Sequence, residues 1–242
     1  MKRILSLISL VVFFLFHSCV AFAEGKRMPE VNTDAEINFA GFEWYSDYKT
    51  TLSAATSRGI TNRFEWSRDN FESGKLLTPH WNTLMNSLNW AANSEADCGG
   101  YLFFSTDLPK VAGYNVDELK LYFMWNPDVG PVANYKAENA VQFYMARYEF
   151  DPKNKEACFK DLTEKLKKLY GDKPYLGKYS LFSDPYYCWV NNDRALIGLC
   201  CPNYGNITLV YCAPRSEEKL VQVERLVVEK ESENAQNDMS GL

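Results

Sequence analysis

Residues 186–212 place strand-like stretches in a row, YYCWV, ALIGLCC and ITLVYC. Asn191-Asn192-Asp193 separates the first two stretches and Asn203-Tyr204-Gly205 the last two, and both links are typical turn sequences. Strands joined by such short links pair antiparallel, because a parallel connection needs a dozen or more residues. The chain is therefore predicted to contain an antiparallel sheet.

Apolar residues at helical spacing predict helices between the strand regions. The clearest helix begins at Asp151-Pro152 and ends at Gly171, and its apolar stripe consists of Phe159, Leu162, Leu166 and Leu169. The other helices are predicted from an N-cap at Ser46 or Asp47 to Gly59, over residues 79–93, and from Ser216 to Glu229.

Runs of adjacent strands, set apart from the helices, indicate an α+β fold with antiparallel sheet and helices packed on one face. The domain is predicted over residues 37–230. The order of elements repeats weakly in the two halves, so two related lobes, 37–125 and 140–230, are an alternative. Residues 24–36 are predicted as a polar N-terminal arm and residues 231–242 as a disordered tail. The remaining strands are predicted over residues 37–45, 101–106, 116–125 and 140–150, and residues 60–77 are predicted as a loop.

The first residues have the pattern of a secretory signal peptide. Lys2 and Arg3 precede an apolar run over residues 4–16, and Ala21-Phe22-Ala23 fits the small-x-small cleavage pattern. Cleavage before Glu24 is therefore predicted, and the protein is expected in the periplasm or outside the cell. No other stretch of sequence is apolar and long enough to span a bilayer.

A lipoprotein is the alternative, with cleavage before Cys19 and anchorage through that residue. Ser18 suits this reading, but Phe16 and His17 stand where lipoprotein signals have Leu and a small residue.

The charge balance bears on the class of partner. Removing Lys2 and Arg3 from 26 basic residues leaves 24, against 31 acidic residues, a net charge of −7. This acidic balance argues against nucleic acid and against an anionic membrane surface as partners.

Outside the predicted signal peptide, the chain keeps an even number of cysteines. In an exported protein this predicts a disulfide framework. A zinc site is disfavoured because no C-x-x-C pair occurs and His80 is the only histidine after residue 23. The cysteines predicted to form disulfides are Cys98, Cys158, Cys188, Cys200, Cys201 and Cys212.

Strand geometry narrows the pairing only in part. Cys200 and Cys201 are neighbours on a strand, so they should face opposite sides and have separate partners, and Cys158 is a candidate for one of them. Cys188 and Cys212 fall on the outer strands of the predicted three, about 9.5 Å apart, which is too far for a disulfide. The full connectivity stays open.

A helix ending in KKLYGDKP (167–174), a Trp-bearing strand YYCWV and a strand ending in LVYC resemble a pattern of small exported bacterial proteins. Their fold is similar to that of the β-lactamase-inhibitor-protein and small outer-membrane assembly lipoprotein superfamily. The resemblance covers residues 140–230, with a fainter echo in 37–125. It implies an α+β module that grips another protein with its sheet or loops, and it transfers no functional residue.

The sequence offers little chemistry for an enzyme. His80 lies at the start of a predicted helix, and no G-x-S-x-G motif accompanies it. Glu43 and Glu65 each stand between Phe and Trp, but on an alternating strand such carboxylates point to water. The segment CGGY (98–101) is too short for a phosphate-binding loop and does not lead into a helix. No catalytic residue, metal ligand or cofactor is therefore predicted.

The tryptophans are the remaining candidates for a binding surface. Trp66 falls in a predicted polar loop, and Trp90 lies off the apolar stripe of its predicted helix. Exposed tryptophans stack on sugars or anchor protein interfaces. The first hypothesis is thus an exported, disulfide-stabilised, non-enzymatic module that binds a protein. The alternatives are a carbohydrate- or small-ligand-binding protein using the same aromatics, and a thiol- or metal-dependent enzyme using Cys200 or Cys201.

Overall fold

Eight strands form one antiparallel sheet in the computed structural model, which describes residues 29–61, 63–66, 100–126, 128, 140–178, 185–201 and 205–237. All eight strands belong to the unit that begins at Val31. The strands are β1 (Arg63–Trp66), β2 (Gly100–Phe104), β3 (Glu118–Trp125), β4 (Val141–Phe150), β5 (Tyr175–Lys178), β6 (Pro185–Val190), β7 (Leu196–Cys200) and β8 (Ile207–Cys212).

The strand order is β1-β2-β3-β4-β8-β7-β6-β5. Two four-stranded meanders, β1–β4 and β5–β8, thus join through their last strands, and β4 pairs antiparallel with β8 from Met145↔Cys212 to Phe150↔Ile207. A helix precedes each meander, α1 (Tyr48–Ser57) and α2 (Lys155–Tyr170), and α3 (Ser216–Asn237) follows the second. The α+β prediction is confirmed, with one continuous sheet in place of a separate sheet for each half.

Both helices that precede the meanders begin at capping residues. Asp47 accepts a hydrogen bond from the backbone N–H of Thr50 at 2.7 Å, so the predicted cap of α1 is confirmed. Asn154 caps α2 through the N–H of Ala157, at 3.0 Å. The helix therefore begins after Asn154 and not at Asp151-Pro152, because the Asn side chain supplies the acceptor that the first turn needs.

One face of the sheet carries α1 and α2. Tyr48 of α1 contacts Phe123, and Phe159 of α2 contacts Tyr187, with ring centroids 5.6 and 5.8 Å apart. The α2 residues Cys158, Leu162 and Leu166 are buried. The apolar stripe predicted for this helix is confirmed at these leucines, but Leu169 lies outside the core at 66% exposed.

The segment before α1 packs on the same face without forming the predicted strand over residues 37–45. A hydrogen bond from the N–H of Phe42 to the carbonyl of Phe39 closes a turn, and Ala40 and Gly41 have positive φ values of 46° and 73°. Phe39 is buried against Phe143, Tyr148 and Tyr211, so it contacts both β4 and β8. The aromatic residues are placed by this turn and not by sheet pairing.

Three further differences separate the sequence expectations from the structure. Residues 63–66 form β1 where a loop was predicted, because they pair with β2 from Arg63↔Phe104 to Trp66↔Tyr101. Residues 175–178 form the unpredicted β5. The last helix continues to Asn237, so residues 231–237 of the predicted disordered tail are helical. The predicted signal peptide, the 79–93 helix and residues 238–242 lie outside the described residues.

Among the residues that the structure describes, no helix combines the length and the apolar character needed to cross a bilayer.

Candidate functional site

The exposed large apolar residues of the described chain gather near the β5 end of the sheet. They are Leu169, Leu176, Tyr175 and Val31, with 66%, 54%, 46% and 43% of their surfaces exposed. We call these four residues the edge patch. Single exposed apolar residues are ordinary, but several in one region of a surface mark an interaction site.

Val31 is held beside β6 by the residue that follows it. The side chain of Asn32 accepts a hydrogen bond from the N–H of Val190 at 2.9 Å and donates one to the carbonyl of Cys188 at 3.0 Å. The backbone N–H groups of Asn32 and Thr33 both donate to the carbonyl of Val190. Asn32 and Thr33 therefore lie along β6 just beyond the point where β5 stops pairing with it.

Leu169 is placed by the end of α2. The indole Nε1 of Trp189, a fully buried residue of β6, donates a hydrogen bond to the carbonyl of Gly171 at 2.8 Å. Tyr170 also contacts Trp189, with ring centroids 6.4 Å apart. These contacts fasten the C-terminal turn of α2 to β6, and Leu169 in that turn faces solvent.

Tyr175 and Leu176 belong to the edge strand itself. β5 pairs only with β6 among the described strands, through Tyr175↔Cys188 and Leu176↔Tyr187. Successive side chains point to opposite faces of a strand, so one apolar residue is exposed on each side of the edge. The centroid of the Tyr175 ring lies 6.1 Å from that of Tyr186. Burial, and then the electrostatic effect of Tyr175, raise the pKa of Tyr186 to about 12.

An edge strand presents backbone N–H and C=O groups that can pair with another chain, and proteins usually protect such edges with charge, proline or covering segments. In β5 the side chains of Tyr175 and Leu176 are apolar and exposed. Among the described strands only β6 pairs with β5, so the edge patch combines exposed apolar side chains with the backbone of an edge strand.

A second feature is a charged cluster in the middle of the sheet, on the face turned away from α2. Glu118 lies directly opposite Glu149, and Lys120 lies opposite Arg147. Each strand contains one ion pair between residues two positions apart. Lys120 Nζ is 2.8 Å from Glu118 Oε1 in β3, and Arg147 Nη2 is 2.5 Å from Glu149 Oε1 in β4. Arg147 also reaches Glu118 at 3.4 Å, so it joins the two strands.

Burial within this cluster changes the pKa of Glu149. Burial, and then the charge of Glu118, raise the pKa of Glu149, while Arg147, Lys120 and a hydrogen bond from Asn206 act against this. Buried charges need partners, and here two cations face two anions. The cluster therefore balances its charges within itself, and Arg147 links β4 to β3 through Glu118.

The fully buried thiols of Cys188 and Cys200 are poorly suited to nucleophilic chemistry. Cys200 is buried, and burial raises its pKa to about 12. Burial also raises the pKa of Cys188 above its ordinary range. A nucleophilic thiolate needs a depressed pKa, so the enzyme hypothesis finds no support at Cys200. Within the described ranges, no group of three or more His, Cys, Asp or Glu residues could hold a metal ion.

The residues predicted for a binding surface are not brought to the edge patch by the described structure. Trp66 ends β1, on the opposite side of the sheet order from β5, and Trp90 and His80 lie outside the described residues. Glu43 is exposed, as predicted. Cys158, Cys188, Cys200, Cys201 and Cys212 are not disulfide-bonded, and Cys98 lies outside the described residues, so the disulfide framework stays a prediction.

Sequence reasoning missed the edge patch because its members are scattered. Leu169 continues the helical stripe of α2 and was predicted as core, while the four residues of β5 carry no recognisable alternation. The charged cluster, by contrast, could have been recognised in the sequence. In ELKLYF and MARYEF the charged residues alternate with apolar ones, which places each set on one face of its strand.

No protein-family model, curated protein or solved structure matches this chain.

Proposed function

We propose that this chain is an exported, non-enzymatic module that binds another protein through the edge patch. The observation that carries the proposal is the position of the exposed large apolar side chains of the described chain, near the open edge of its sheet. A protein partner can use both the apolar side chains and the edge-strand backbone, whereas a sugar ligand would use chiefly flat aromatic surfaces.

The neighbouring structure supports a binding role for this edge. Asn32 fastens the arm to β6, and Trp189 fastens the end of α2, so the backbone around the patch is fixed before a partner arrives. A fixed surface loses less conformational entropy on association. The resemblance to exported protein-binding modules implies the same class of function.

The carbohydrate alternative depends on exposed tryptophans. Trp125 and Trp189 are buried, so neither offers a ring to a sugar. This alternative now depends on Trp66 and Trp90, whose side chains lie outside the described residues.

The test compares two substitutions that add the same negative charge. Leu176→Asp places a carboxylate in the edge patch, and Ser53→Asp places one on exposed α1, which contacts β4, several strands away from β5. Each purified variant serves as bait in the exported-protein fraction of the organism of origin, after circular dichroism has confirmed folding. The Kd of each bait for the captured protein is then measured.

We expect Leu176→Asp to raise the Kd by about tenfold or more, because a charge would have to be desolvated in an apolar contact, and Ser53→Asp to leave it unchanged. Equal binding by the wild-type chain and Leu176→Asp would remove the edge patch from the proposal. A glycan-array signal without any captured protein would favour the carbohydrate alternative.

A further inference from the structure

The first turns of α2 contact β6 and the connection that leads into β8. Lys155 Nζ donates a hydrogen bond to the carbonyl of Gly205 at 2.9 Å, in the connection that leads into β8. Phe159, one turn later, contacts Tyr187 of β6 with ring centroids 5.8 Å apart. Because β7 lies between β6 and β8 in the sheet, the residue between these two anchors on the same helix face lies over β7.

That residue is Cys158, which is 2% exposed and therefore points into the contact between helix and sheet. Beneath it, Leu199 of β7 pairs with Tyr187 and so lies on the helix-covered face. Cys201 follows two residues later, directly after the end of β7, and alternation directs it to that same face. Cys200 pairs with Tyr186 and Thr208 on the opposite face.

The electrostatics agree with this placement. Burial raises the pKa of Cys158 to about 11, a hydrogen bond with Tyr114 lowers it, and the charges of Asp161 and Cys201 raise it, so Cys201 acts electrostatically on Cys158. Cys201 is partly exposed, while Cys158 is buried. Cys201 can thus meet a reagent from solution, whereas Cys158 is shielded from it.

We propose that Cys158 and Cys201 form an oxidisable thiol pair that closes to a disulfide between α2 and the end of β7. Neither residue is disulfide-bonded in the structure. The oxidant is a disulfide, for which oxidised glutathione is a simple probe. The Cys201 thiolate attacks one glutathione sulfur, forming a mixed disulfide and releasing one glutathione thiolate.

The Cys158 thiolate then attacks the Cys201 sulfur. The Cys158–Cys201 bond forms, the mixed disulfide breaks, and a second glutathione thiolate leaves. Two protein thiols are oxidised, one glutathione disulfide is reduced to two glutathione molecules, and the protons from the protein thiols end on those molecules or in solvent.

The experiment is a disulfide map of the purified full chain after incubation with oxidised glutathione. Remaining thiols are alkylated, the chain is digested with trypsin without reduction, and peptides are identified by mass spectrometry. Cys158 then lies in the peptide Glu156–Lys160, whereas Cys200, Cys201 and Cys212 share the peptide Ala195–Arg215. We expect these two peptides to be linked, and the linked pair to separate when a reductant is added.

Single substitutions then identify the partner within the shared peptide. Cys201→Ser should abolish the link, and the matched variants Cys200→Ser and Cys212→Ser should retain it. The wild-type map needs no variant, so a misfolded variant does not decide the outcome.

Three results would overturn the proposal. They are recovery of both peptides fully alkylated after oxidation, a link from Cys158 to the Cys98 peptide, and persistence of the link in a folded Cys201→Ser chain. None of these depends on the edge patch, so the proposal stands or falls separately from the proposed function.

Discussion

Cys158 is a buried thiol whose surroundings keep it protonated at neutral pH. Burial raises its pKa to about 11, Asp161 and Cys201 add to this, and the Tyr114 hydrogen bond and Lys165 act against it. Because only the thiolate attacks a disulfide, the closing step between Cys158 and Cys201 should accelerate about tenfold for each pH unit between pH 7 and pH 9. A stopped-time alkylation assay on the Cys201–glutathione mixed disulfide measures this rate.

A substitution at Asp161 tests whether nearby charge slows the closing step. The variant Asp161→Asn removes one of the charges that raise the pKa of Cys158, so it should make closure faster at pH 7. A closure rate that does not vary with pH would show that a step other than thiolate attack is limiting, and would contradict this account of Cys158.

The buried carboxyl group of Glu149 should make the free energy of unfolding depend on pH. Its pKa in the folded chain lies above the ordinary value of 4.5, chiefly through burial, so the folded state holds the proton more tightly than the unfolded state. Its contribution to stability is therefore complete below about pH 4.5 and is lost as the pH rises through the folded pKa. The free energy of unfolding of the wild-type chain, relative to Glu149→Gln, should increase as the pH falls from 7 to 5.

Urea unfolding at pH 5, 6 and 7 measures this difference, which cannot change by more than about 1.4 kcal/mol per pH unit for one proton. Glu43→Gln, at an exposed position, is the matched control. A wild-type advantage that shrinks as the pH falls would contradict the direction of the shift in Glu149.

At the scale of elements, the N-terminal arm depends on one amide side chain. Asn32 satisfies both the N–H of Val190 and the carbonyl of Cys188, next to the end of β5. Asn32→Ala leaves these buried groups without that partner, so it should lower the free energy of unfolding by roughly 1–3 kcal/mol. Denaturant titration measures the loss.

Asn38→Ala is the control for this change, because Asn38 is exposed and its side chain donates to the exposed side chain of Glu36. It should alter stability by less than about 0.5 kcal/mol. Equal losses in the two variants would mean that the Asn32 contacts do not hold the arm.

Elements with a strong local signal could be predicted from the sequence. The alternating strand β3 and the capped helix α1 are present as predicted. By contrast, β1 and β5 are four-residue strands whose pairing comes from their neighbours, and local sequence carries no trace of such partners. The segment around Phe39 alternates like a strand, but the turn at Ala40-Gly41 redirects it onto the sheet face.

The candidate site was less predictable than the fold because it is made at the scale of the whole molecule. Val31, Leu169 and Leu176 come from an arm, a helix and an edge strand, and only the sheet order brings them to one region. The opposition of Glu118 to Glu149 likewise requires the pairing register of β3 and β4, which shifts between Tyr122 and Phe123.

The two meanders should unfold together as one cooperative unit. They share the β4–β8 pairing, and Phe39 packs on Phe143 and Tyr148 of β4 and on Tyr211 of β8. Phe39→Ala should therefore cost about 3–5 kcal/mol and destabilise both meanders by the same amount. Hydrogen exchange read by mass spectrometry, followed in peptides of β3 and of β6–β7, measures each meander separately.

Phe39→Leu is the graded control, because it keeps most of the apolar volume and should cost less than Phe39→Ala in both regions. If β6–β7 kept its wild-type protection in Phe39→Ala while β3 lost it, the meanders would be separate folding units. Equal loss in both would show that the two meanders form one cooperative unit. A partner that bound the folded chain at β5 would then stabilise the distant strand β3 as well, because binding to the folded state raises the stability of the whole unit.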